Sequence, residues 1–513
     1  MPGDVAGSRT VSAFNLCTLQ NRKIIKDPIM PLVIRRSLRI ASLAFASILC
    51  TGVASAQTAP AQPPQFPPLP QFPPPPRFPQ LPPLLSLPRS QHKYDLVLSG
   101  GHVLDPKNHL DGVMDIAIKD GKIVDVAAHI ESPDTIKTIS LRGFYLTPGL
   151  IDMHVHAYAG TGEKGSYAGD NSVYPDGFTF RNGVTTVVDA GSSGWRNFED
   201  FKQRIIDRSD TRVLAFLNIV GSGMRGQLYE NNNDDMDGRA TAAMLEKYPN
   251  VLVGIKSAHY SGRGWKPFEQ AVVAGNLANR PVMIDFGTNG TERPLLTLMS
   301  QILRPGDIYT HMYSGLRGEQ DLQTLGPSEA MLVGRKRGIY FDVGHGGGSF
   351  NWGVAVPLMK DGFQPDSIST DLHITSMNAG MKDLLNVADK MLALGQTVPQ
   401  VFEEMTAAPA HEIRHEELGN LSVGAVADLA AFSVERGKFG FVDMNNERKI
   451  GDRALVCQLT VRAGKVVYDL EGISSDRWDS HPTSDYRIAG HWTTLTTRDD
   501  NKREPPANPV LAP

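Results

Sequence analysis

Cysteine is scarce in this chain, and neither sign of charge dominates it. There are three cysteines in 513 residues, and the formal net charge is −4. Cys17 and Cys50 lie in an N-terminal segment that we predict to be removed, which leaves Cys457 without a partner for an intrachain disulfide. The nearly balanced charge gives no reason to expect a nucleic-acid partner. Hydrophobic residues make up 41% of the chain, enough for a large core.

The N-terminal segment predicts export. A basic stretch from Arg35 to Arg39 precedes an apolar run over residues 40–53, and Ala-Ser-Ala follows at 54–56. This order is typical of a secretory signal peptide. The alternative, a membrane anchor, is disfavoured because the run is shorter than a span of ~20 residues. We therefore expect residues 1–56, an N-terminal extension followed by a signal peptide that begins at Met30, to be absent from the mature protein and no stable membrane span to remain. The protein is then exported, either periplasmic or secreted.

Two further segments have the composition of connections and extensions. Residues 57–93 are dominated by proline, which favours an extended polyproline II linker. A ligand for a proline-binding domain is the alternative. Residues 473–513 form a polar tail with several charged residues and prolines. This tail is either a free extension or a contact to a neighbouring subunit of a homo-oligomer, and the sequence leaves both open.

The region between these segments predicts an α/β protein with two parts. Residues 94–148 and 412–472 contain short β-type runs between Gly, Asn and Asp turn signals, which predicts one small composite β-sandwich. Residues 149–411 repeat an apolar strand, a loop and a helix, as in a (β/α)8 TIM barrel. An open doubly wound sheet is the alternative, but no GxGxxG motif opens a helix after the first strand. The predicted strands are 149–156, 184–191, 212–220, 251–258, 281–287, 307–315, 338–346 and 365–373. Helical periodicity follows Asn378, and a second helix is predicted at Val398–Met405.

The first barrel strand ends in a histidine pair that is typical of metal sites. His154 and His156 are two residues apart in GLIDMHVH, so a strand directs both imidazoles to the same face. Two converging imidazoles supply half of a zinc site. The alternative, two ordinary polar residues of a loop, is disfavoured by the preceding Pro-Gly-Leu-Ile-Asp sequence.

The fourth predicted strand ends in Lys256, within VLVGIKSAHY. A lysine after an apolar strand needs an anionic partner or a shifted pKa. One interpretation is an ion pair with a neighbouring carboxylate, and the other is a functional lysine. His259 and Tyr260 follow on the same loop, where they either shape a substrate pocket or pack the loop.

Three later strands also end in a polar side chain. These residues are His311 in DIYTHMYSG, His345 in YFDVGHGGG and Asp371 in SISTDLH. Because strand ends meet at one face of a barrel, the three side chains should join the histidine pair there. Asp371 suits a general base that also touches a metal ion. His373 is two residues further on and either lines the pocket or is a solvated loop residue.

These residues resemble the amidohydrolase superfamily, and more closely its deacetylase and dihydroorotase-like branch. The resemblance extends from about Tyr94 to Gly472. It rests on the motifs PGLIDMHVH, GVTTVVDAG, GIKSAHY, DIYTHMYSG, FDVGHGGGSF, SISTDLH and LSVGAVADLAAF. It implies a β-sandwich made from both chain ends and a barrel that holds one or two metal ions. The metal is usually zinc, although other divalent metals fit the same ligands.

The resemblance also implies roles for single residues. By resemblance, His154 and His156 bind the more buried metal ion, and Lys256 is the carboxylated lysine that bridges two metals. His311 corresponds to a ligand of the more exposed metal ion, and Asp371 to the catalytic aspartate. His345 corresponds to a substrate-contacting residue of the deacetylase branch.

The fifth predicted strand departs from this pattern. The superfamily usually places a histidine where this chain has Asp285, in RPVMIDFGT. Asp285 either binds a metal ion, since zinc accepts carboxylate oxygen, supports the ligands from behind, or forms an ion pair with an unmodified Lys256. The last two alternatives imply a mononuclear site.

The expected function is metal-dependent hydrolysis of a small molecule. A metal-activated water would cleave an amide, N-acyl, ester or cyclic-amide bond, which makes the chain an enzyme acting on carbon–nitrogen bonds other than peptide bonds. His345, His259, Tyr260 and His373 are the predicted substrate-binding residues. One alternative is a cyclic-imide or dihydroorotase-like ring hydrolase. The other is a non-catalytic periplasmic binding or scaffold protein on the same barrel, which only the departure at Asp285 favours.

Overall fold

The computed structural model describes residues 92–285, 287–288 and 292–480. The predicted signal peptide, nearly all of the proline-rich linker and most of the C-terminal tail lie outside these residues. No helix in the described part of the chain is long and apolar enough to cross a membrane.

Strands and helices alternate through the middle of the chain, and strands dominate at both ends of the described part. The strands are β1 Tyr94–Asp105, β2 Leu110–Lys119, β3 Lys122–Ala127, β4 Thr135–Ser140, β5 Tyr145–Pro148, β6 Leu150–Val155, β7 Val184–Gly194, β8 Arg212–Asn218, β9 Leu252–Ser257, β10 Val282–Ile284, β11 Ile308–Tyr309, β12 Tyr340–Phe341, β13 Leu429–Val442, β14 Arg448–Arg462 and β15 Lys465–Asp469. The α-helices are α1 Phe198–Phe201, α2 Gln227–Glu230, α3 Gly238–Lys247, α4 Lys266–Ala278, α5 Leu295–Thr297, α6 Glu329–Lys336, α7 Trp352–Lys360, α8 Ile374–Met377, α9 Leu384–Ala393, α10 Val398–Glu403 and α11 Ala407–Glu412.

A seven-stranded parallel sheet forms the centre of the fold. Strands β6 to β12 are hydrogen-bonded in chain order. Every residue of β6, β7 and β9 is buried, as expected for parallel strands that are covered on both faces. The first seven predicted barrel strands are therefore present.

The last of these strands are much shorter than predicted, and the eighth is not a strand. β10, β11 and β12 have only three, two and two residues. The segment predicted as strand 365–373 makes isolated parallel bridges instead, from Ser367 to Asp342 and from Leu372 to Val155. Two of its backbone N–H groups do not bond to a neighbouring strand: Ile368 N donates to Glu404 O, and Thr370 N donates to Asp152 Oδ1. The segment nevertheless contacts both edges of the parallel sheet, which is therefore curled.

A second sheet combines both ends of the described chain. Its eight strands run in the order β15-β14-β13-β5-β1-β2-β3, with β4 paired to β1. β5 and β13 join the two parts in an antiparallel ladder. The predicted union of the regions 94–148 and 412–472 is thus present as one sheet, and the second layer of a sandwich stays a prediction. β13 and β14 also extend into a hairpin between 434 and 454 that the sequence analysis did not predict.

The two helices predicted after Asn378 are α9 and α10. The side chain of Asp383 caps α9 by accepting from Asn386 N. Thr397 and Gln400 form a capping box at the start of α10. Such caps satisfy backbone N–H groups that have no partner within the helix. α9 lies beside the composite sheet, where Leu455 N of β14 donates to Asp389 Oδ1 over 2.8 Å.

Candidate metal centre

Six polar side chains converge at the C-terminal ends of the parallel strands. They are the predicted ligands His154, His156, Lys256, Asp285, His311 and Asp371, and none is more than 8% exposed. The Nε2 atoms of His154 and His156 lie 3.7 and 3.1 Å from Asp371 Oδ1. His311 Nε2 lies 3.5 Å from Asp285 Oδ2. The structure thus brings together every residue that the sequence analysis named as a ligand.

These atoms form two overlapping groups that suit a divalent metal ion. His154, His156 and Asp371 make one group, and His154, Asp285 and His311 make the other, with the ligand atoms of each group within 4.8 Å of one another. Imidazole nitrogen and carboxylate oxygen are ligands that zinc prefers. Asp285 Oδ1 is buried without a hydrogen-bond partner among the described residues. A buried anionic oxygen of this kind is satisfied by a cation, so the side chains present fit the implied metal.

The Nδ1 atom of each histidine ring is hydrogen-bonded to a neighbouring residue on the side away from the centre. His154 Nδ1 lies 3.0 Å from Thr310 Oγ1, and His156 Nδ1 lies 2.9 Å from Ser192 Oγ. His311 Nδ1 donates to Gly344 O. Because Nδ1 is engaged in all three rings, Nε2 is the atom directed to the centre. Metal-binding histidines typically use their second nitrogen in this way.

Lys256 and Asp285 form a buried ion pair. Lys256 Nζ lies 2.8 Å from Asp285 Oδ2 and 3.1 Å from His154 Nε2. Burial acts to raise the pKa of Asp285, but the Lys256 cation and His311 outweigh it and hold that pKa well below its usual value. Lys256 therefore has a neighbouring carboxylate as its partner, which was one of the two predicted alternatives. The partner is Asp285, the residue that stands where the family usually has a histidine.

The backbone is strained where the site side chains leave their strands. His311, Asp371 and His259 have φ values of +65°, +51° and +54°. Such left-handed conformations cost about 1–3 kcal/mol each and cluster at functional sites. The left-handed conformation of His311 also accounts for the early end of β11, because a residue in this conformation cannot continue a β-ladder. Gly344 has φ +47°, and a Cβ there would lie 2.1 Å from Thr310 Oγ1, so only glycine permits this approach.

The charges at the centre favour metal binding. Burial, together with the Lys256 cation, lowers the pKa of His154 to about 3, so this imidazole is neutral. Burial would raise the pKa of Asp371, but His373, His154 and His156 outweigh it and lower that pKa below its usual value. A neutral imidazole and an ionised carboxylate are the protonation states that a metal ion requires.

Comparison with known proteins identifies the family. A deacetylase from Brucella anthropi is 32% identical over 353 residues, which cover 66% of this chain and 84% of that protein. Among solved structures, an adenine deaminase matches with TM-score 0.67 and 28% identity, covering 73% of this chain and 100% of the other. A dihydroorotase matches with TM-score 0.64 and 28% identity, covering 73% and 99%. No family model matches the chain.

This chain belongs to the amidohydrolase superfamily. The relatives support the predicted deacetylase and dihydroorotase-like branch. The predicted class is confirmed as well: the chain is a metal-dependent hydrolase that acts on carbon–nitrogen bonds.

Aromatic rings line the side of the amidohydrolase site next to His156. The Tyr167 ring lies 4.4 Å from that of His156, 5.0 Å from that of His373 and 6.0 Å from that of His259, measured between centroids. His373 is buried, and its Nε2 lies 3.8 Å from Asp371 Oδ2. His259 Nδ1 lies 2.8 Å from Oε2 of the buried Glu230. His259 and His373 therefore lie beside the centre, and their contact with substrate stays a prediction.

Two other predicted substrate-binding residues, Tyr260 and His345, form hydrogen bonds within the protein. The Tyr260 hydroxyl donates to Arg263 O over 2.7 Å, which favours the loop-packing alternative. His345 is fully buried, with Nε2 2.6 Å from Lys390 Nζ and Nδ1 2.8 Å from Gly346 O. Burial and the Lys390 cation hold the pKa of His345 well below its usual value. Both His345 ring nitrogens are thus used within the protein, and its substrate contact stays a prediction.

Sequence reasoning missed the residues that support the ligands. These are Ser192, Thr310 and Asp342 behind the histidines, and Tyr167 and Glu230 at the side of the site. Thr310 had a detectable signal, because it immediately precedes His311. The others are ordinary residue types at ordinary positions, and only their contacts reveal them.

Proposed function

We propose that this amidohydrolase is a zinc-dependent deacylase, which cleaves an N-acyl, amide or ester bond of a small molecule. The observation that carries the proposal is the pair of ligand groups that share His154, with Asp371 beside both first-strand histidines. The relative from Brucella anthropi, a deacetylase, supports this substrate class.

Zinc would be held at two positions. His154, His156 and Asp371 would hold the first, and Asp285 and His311 the second, with Lys256 between them. Zinc is favoured because all of these donors are imidazole or carboxylate groups. A bound ion would act as a Lewis acid, lowering the pKa of water toward ~7 and polarising the substrate carbonyl.

Lys256 is the proposed bridge between the two positions. The Lys256 ammonium group would first lose one proton. The neutral amine would then attack CO₂, form a nitrogen–carbon bond and lose a second proton, which gives an anionic carbamate with two oxygens. The family resemblance supports this step, as does the place of Lys256 Nζ, within 3.1 Å of His154 Nε2 and 2.8 Å of Asp285 Oδ2. The ion pair with Asp285 would then belong to the unmodified lysine.

Asp371 is the proposed catalytic residue. It is the most exposed of the six converging side chains, at 8%, and its lowered pKa keeps it ionised. It would accept a proton from the attacking water and return it to the departing amine or alcohol. Tyr167, His259 and His373 would orient the substrate beside it.

A ring-opening hydrolase is the second candidate. The match to a solved dihydroorotase, with TM-score 0.64 and 28% identity, favours it. The same residues serve both reactions, since a cyclic amide and an open amide expose the same carbonyl to attack.

We further propose the larger organisation of the protein. The segment 367–372 would act as the eighth strand of a closed barrel over 149–411, and its bridges to both edges of the parallel sheet support this. The regions 94–148 and 412–472 would complete a composite β-sandwich. Residues 1–56 would direct export to the periplasm or the medium, which rests on their sequence alone.

Metal content and turnover together test the proposed function. The chain from residue 57 onward is purified without chelator, its zinc is counted by elemental mass spectrometry, and N-acyl amino acids, acetylated hydroxy acids and cyclic amides are screened. We expect two zinc ions per chain and turnover that is lost on chelation and regained with zinc and bicarbonate. One zinc ion with turnover would exclude the bridged site. A chain that binds no metal and shows no turnover would contradict the proposal and favour the non-catalytic scaffold.

A further inference from the structure

A fully buried carboxylate lies behind His154, and the proposed mechanism does not use it. Asp342 follows β12 and is 0% exposed. Its oxygens accept hydrogen bonds from three hydroxyl groups, those of Thr310 at 2.6 Å, Ser369 at 2.7 Å and Ser367 at 3.2 Å. Thr310 directly follows β11, and the two serines belong to the 367–372 segment, so Asp342 joins the neighbouring elements on both sides of β12.

The contacts of Thr310 determine which nitrogen of His154 carries a proton. A threonine hydroxyl has one proton, and Thr310 donates it to Asp342 Oδ2. Thr310 Oγ1 also lies 3.0 Å from His154 Nδ1. Because its one proton is used at Asp342, this oxygen must accept from Nδ1, which therefore carries the hydrogen. His154 Nε2 is then left with a lone pair that faces the centre. The Lys256 ammonium group, 3.1 Å from Nε2, is a donor and agrees with this assignment.

We propose that Asp342, acting through Thr310, is a positioning residue that fixes the proton and the ring orientation of His154. This inference rests on the proposed metal site. His154 belongs to both ligand groups, so its misorientation would weaken the proposed metal site. Asp342 itself lies outside hydrogen-bonding distance of the ring, with Oδ2 3.9 Å from Nδ1, and so acts through the hydroxyl.

The second histidine of the pair has a related arrangement. His156 Nδ1 lies 2.9 Å from Ser192 Oγ, and the Ser192 backbone N–H donates to Oδ1 of the fully buried Asp189 over 2.7 Å. Each histidine of the first strand therefore has a hydroxyl group at Nδ1, and a buried carboxylate holds the residue that carries this hydroxyl. Outer partners of this kind typically contribute 10–100-fold to metal affinity.

Thr310 offers a matched pair of variants for the test. Thr310→Val keeps the shape but removes the hydroxyl, whereas Thr310→Ser keeps the hydroxyl and removes a methyl group. Ser367→Ala is the control, because it removes a different hydrogen bond to Asp342 and leaves the Thr310–His154 contact in place. Zinc affinity of the full chain is measured by competition with a chromophoric chelator, and thermal unfolding is measured on the metal-free forms.

We expect Thr310→Val to weaken zinc binding by about 10–100-fold, Thr310→Ser to stay near the wild type, and Ser367→Ala to change unfolding without this loss of affinity. Wild-type affinity in Thr310→Val would overturn the inference and leave the proposed function intact. So would equal losses of affinity in Thr310→Val and Ser367→Ala, which indicate a structural effect alone. A wild-type chain that binds no zinc would overturn both proposals.

A second variant keeps the inference testable if Thr310→Val does not fold. Asp342→Asn preserves size, but its amide donates to Thr310 Oγ1 and so allows the hydroxyl to donate to His154 Nδ1. His154 would then carry its proton on Nε2, where a metal ion cannot bind. We expect zinc affinity to fall as in Thr310→Val, and unchanged affinity would contradict the positioning role.

Discussion

Lys256 Nζ lies 2.8 Å from Asp285 Oδ2, and the two side chains are 0% and 2% exposed. The pair joins the ends of β9 and β10 at the position where the family usually has a histidine. In the unmodified protein each charge therefore depends on the other, because an isolated buried charge is far more costly than a paired one.

Removal of one partner should destabilise the metal-free protein strongly. Asp285→Asn is expected to lower the free energy of unfolding by about 3–5 kcal/mol, since Lys256 is left buried without its anion. The double variant Lys256→Met, Asp285→Asn should recover part of this loss. Urea unfolding of chelator-treated protein measures the double-mutant cycle. Strictly additive single effects would show that the two side chains are not coupled.

Asp371 should be essential for turnover and dispensable for most of the metal binding. Asp371→Asn removes the proton acceptor, and we expect turnover to fall by about 10²–10⁴-fold. Bound zinc should stay near the wild-type count, because His154, His156, Asp285 and His311 remain. Steady-state kinetics and elemental analysis are made on the same sample. Turnover within a few-fold of the wild type would remove Asp371 from the mechanism.

Asp389 should make stability depend on pH. Burial raises the pKa of this carboxyl to about 8, whereas the unfolded chain has a pKa of about 3.9. The folded protein therefore holds an extra proton between these values, so the stabilising contribution of Asp389 is lost as pH rises toward 8.

The control for this effect is Asp389→Asn, which can keep the bond from Leu455 N and cannot titrate. Between about pH 5 and pH 8, the unfolding free energy should shift in favour of the variant by on the order of a few kcal/mol. Urea unfolding of both proteins at each pH measures this difference. A difference that does not change with pH would show that Asp389 is ionised throughout.

Two tyrosines near the site should behave differently on substitution. Tyr167→Leu removes the ring beside His156 and should raise KM by about 2- to 10-fold, since an aromatic contact is worth about 0.5–1.5 kcal/mol. Tyr260→Phe removes only the hydrogen bond to Arg263 O. It should lower stability by about 0.5–1.5 kcal/mol and leave KM unchanged. A raised KM with unchanged stability in Tyr260→Phe would instead place the Tyr260 hydroxyl in the substrate pocket.

Periodicity in the sequence located the seven strands of the parallel sheet, but it overestimated the length of the last three and predicted an eighth that is not a strand. VTTVVDAG and VLVGIK are largely apolar, and they lie in β7 and β9. The eighth strand failed because its N–H groups bond to Glu404 and Asp152, which are distant in the chain. The sequence showed that Asp285 stands where the family usually has a histidine, but its pairing with Lys256 was only one of several alternatives.

Local chemistry by itself determined the fold class, the six converging side chains and the family, because strand alternation and strand-end position are encoded over a few residues. Only the tertiary structure decided how those side chains are held. Thr310 and Asp342 act on a histidine that lies 156 and 188 positions earlier in the chain, and a hydrogen bond depends on distance in space. No local pattern records that proximity, so the supporting residues emerge only when the strands are curled around one centre.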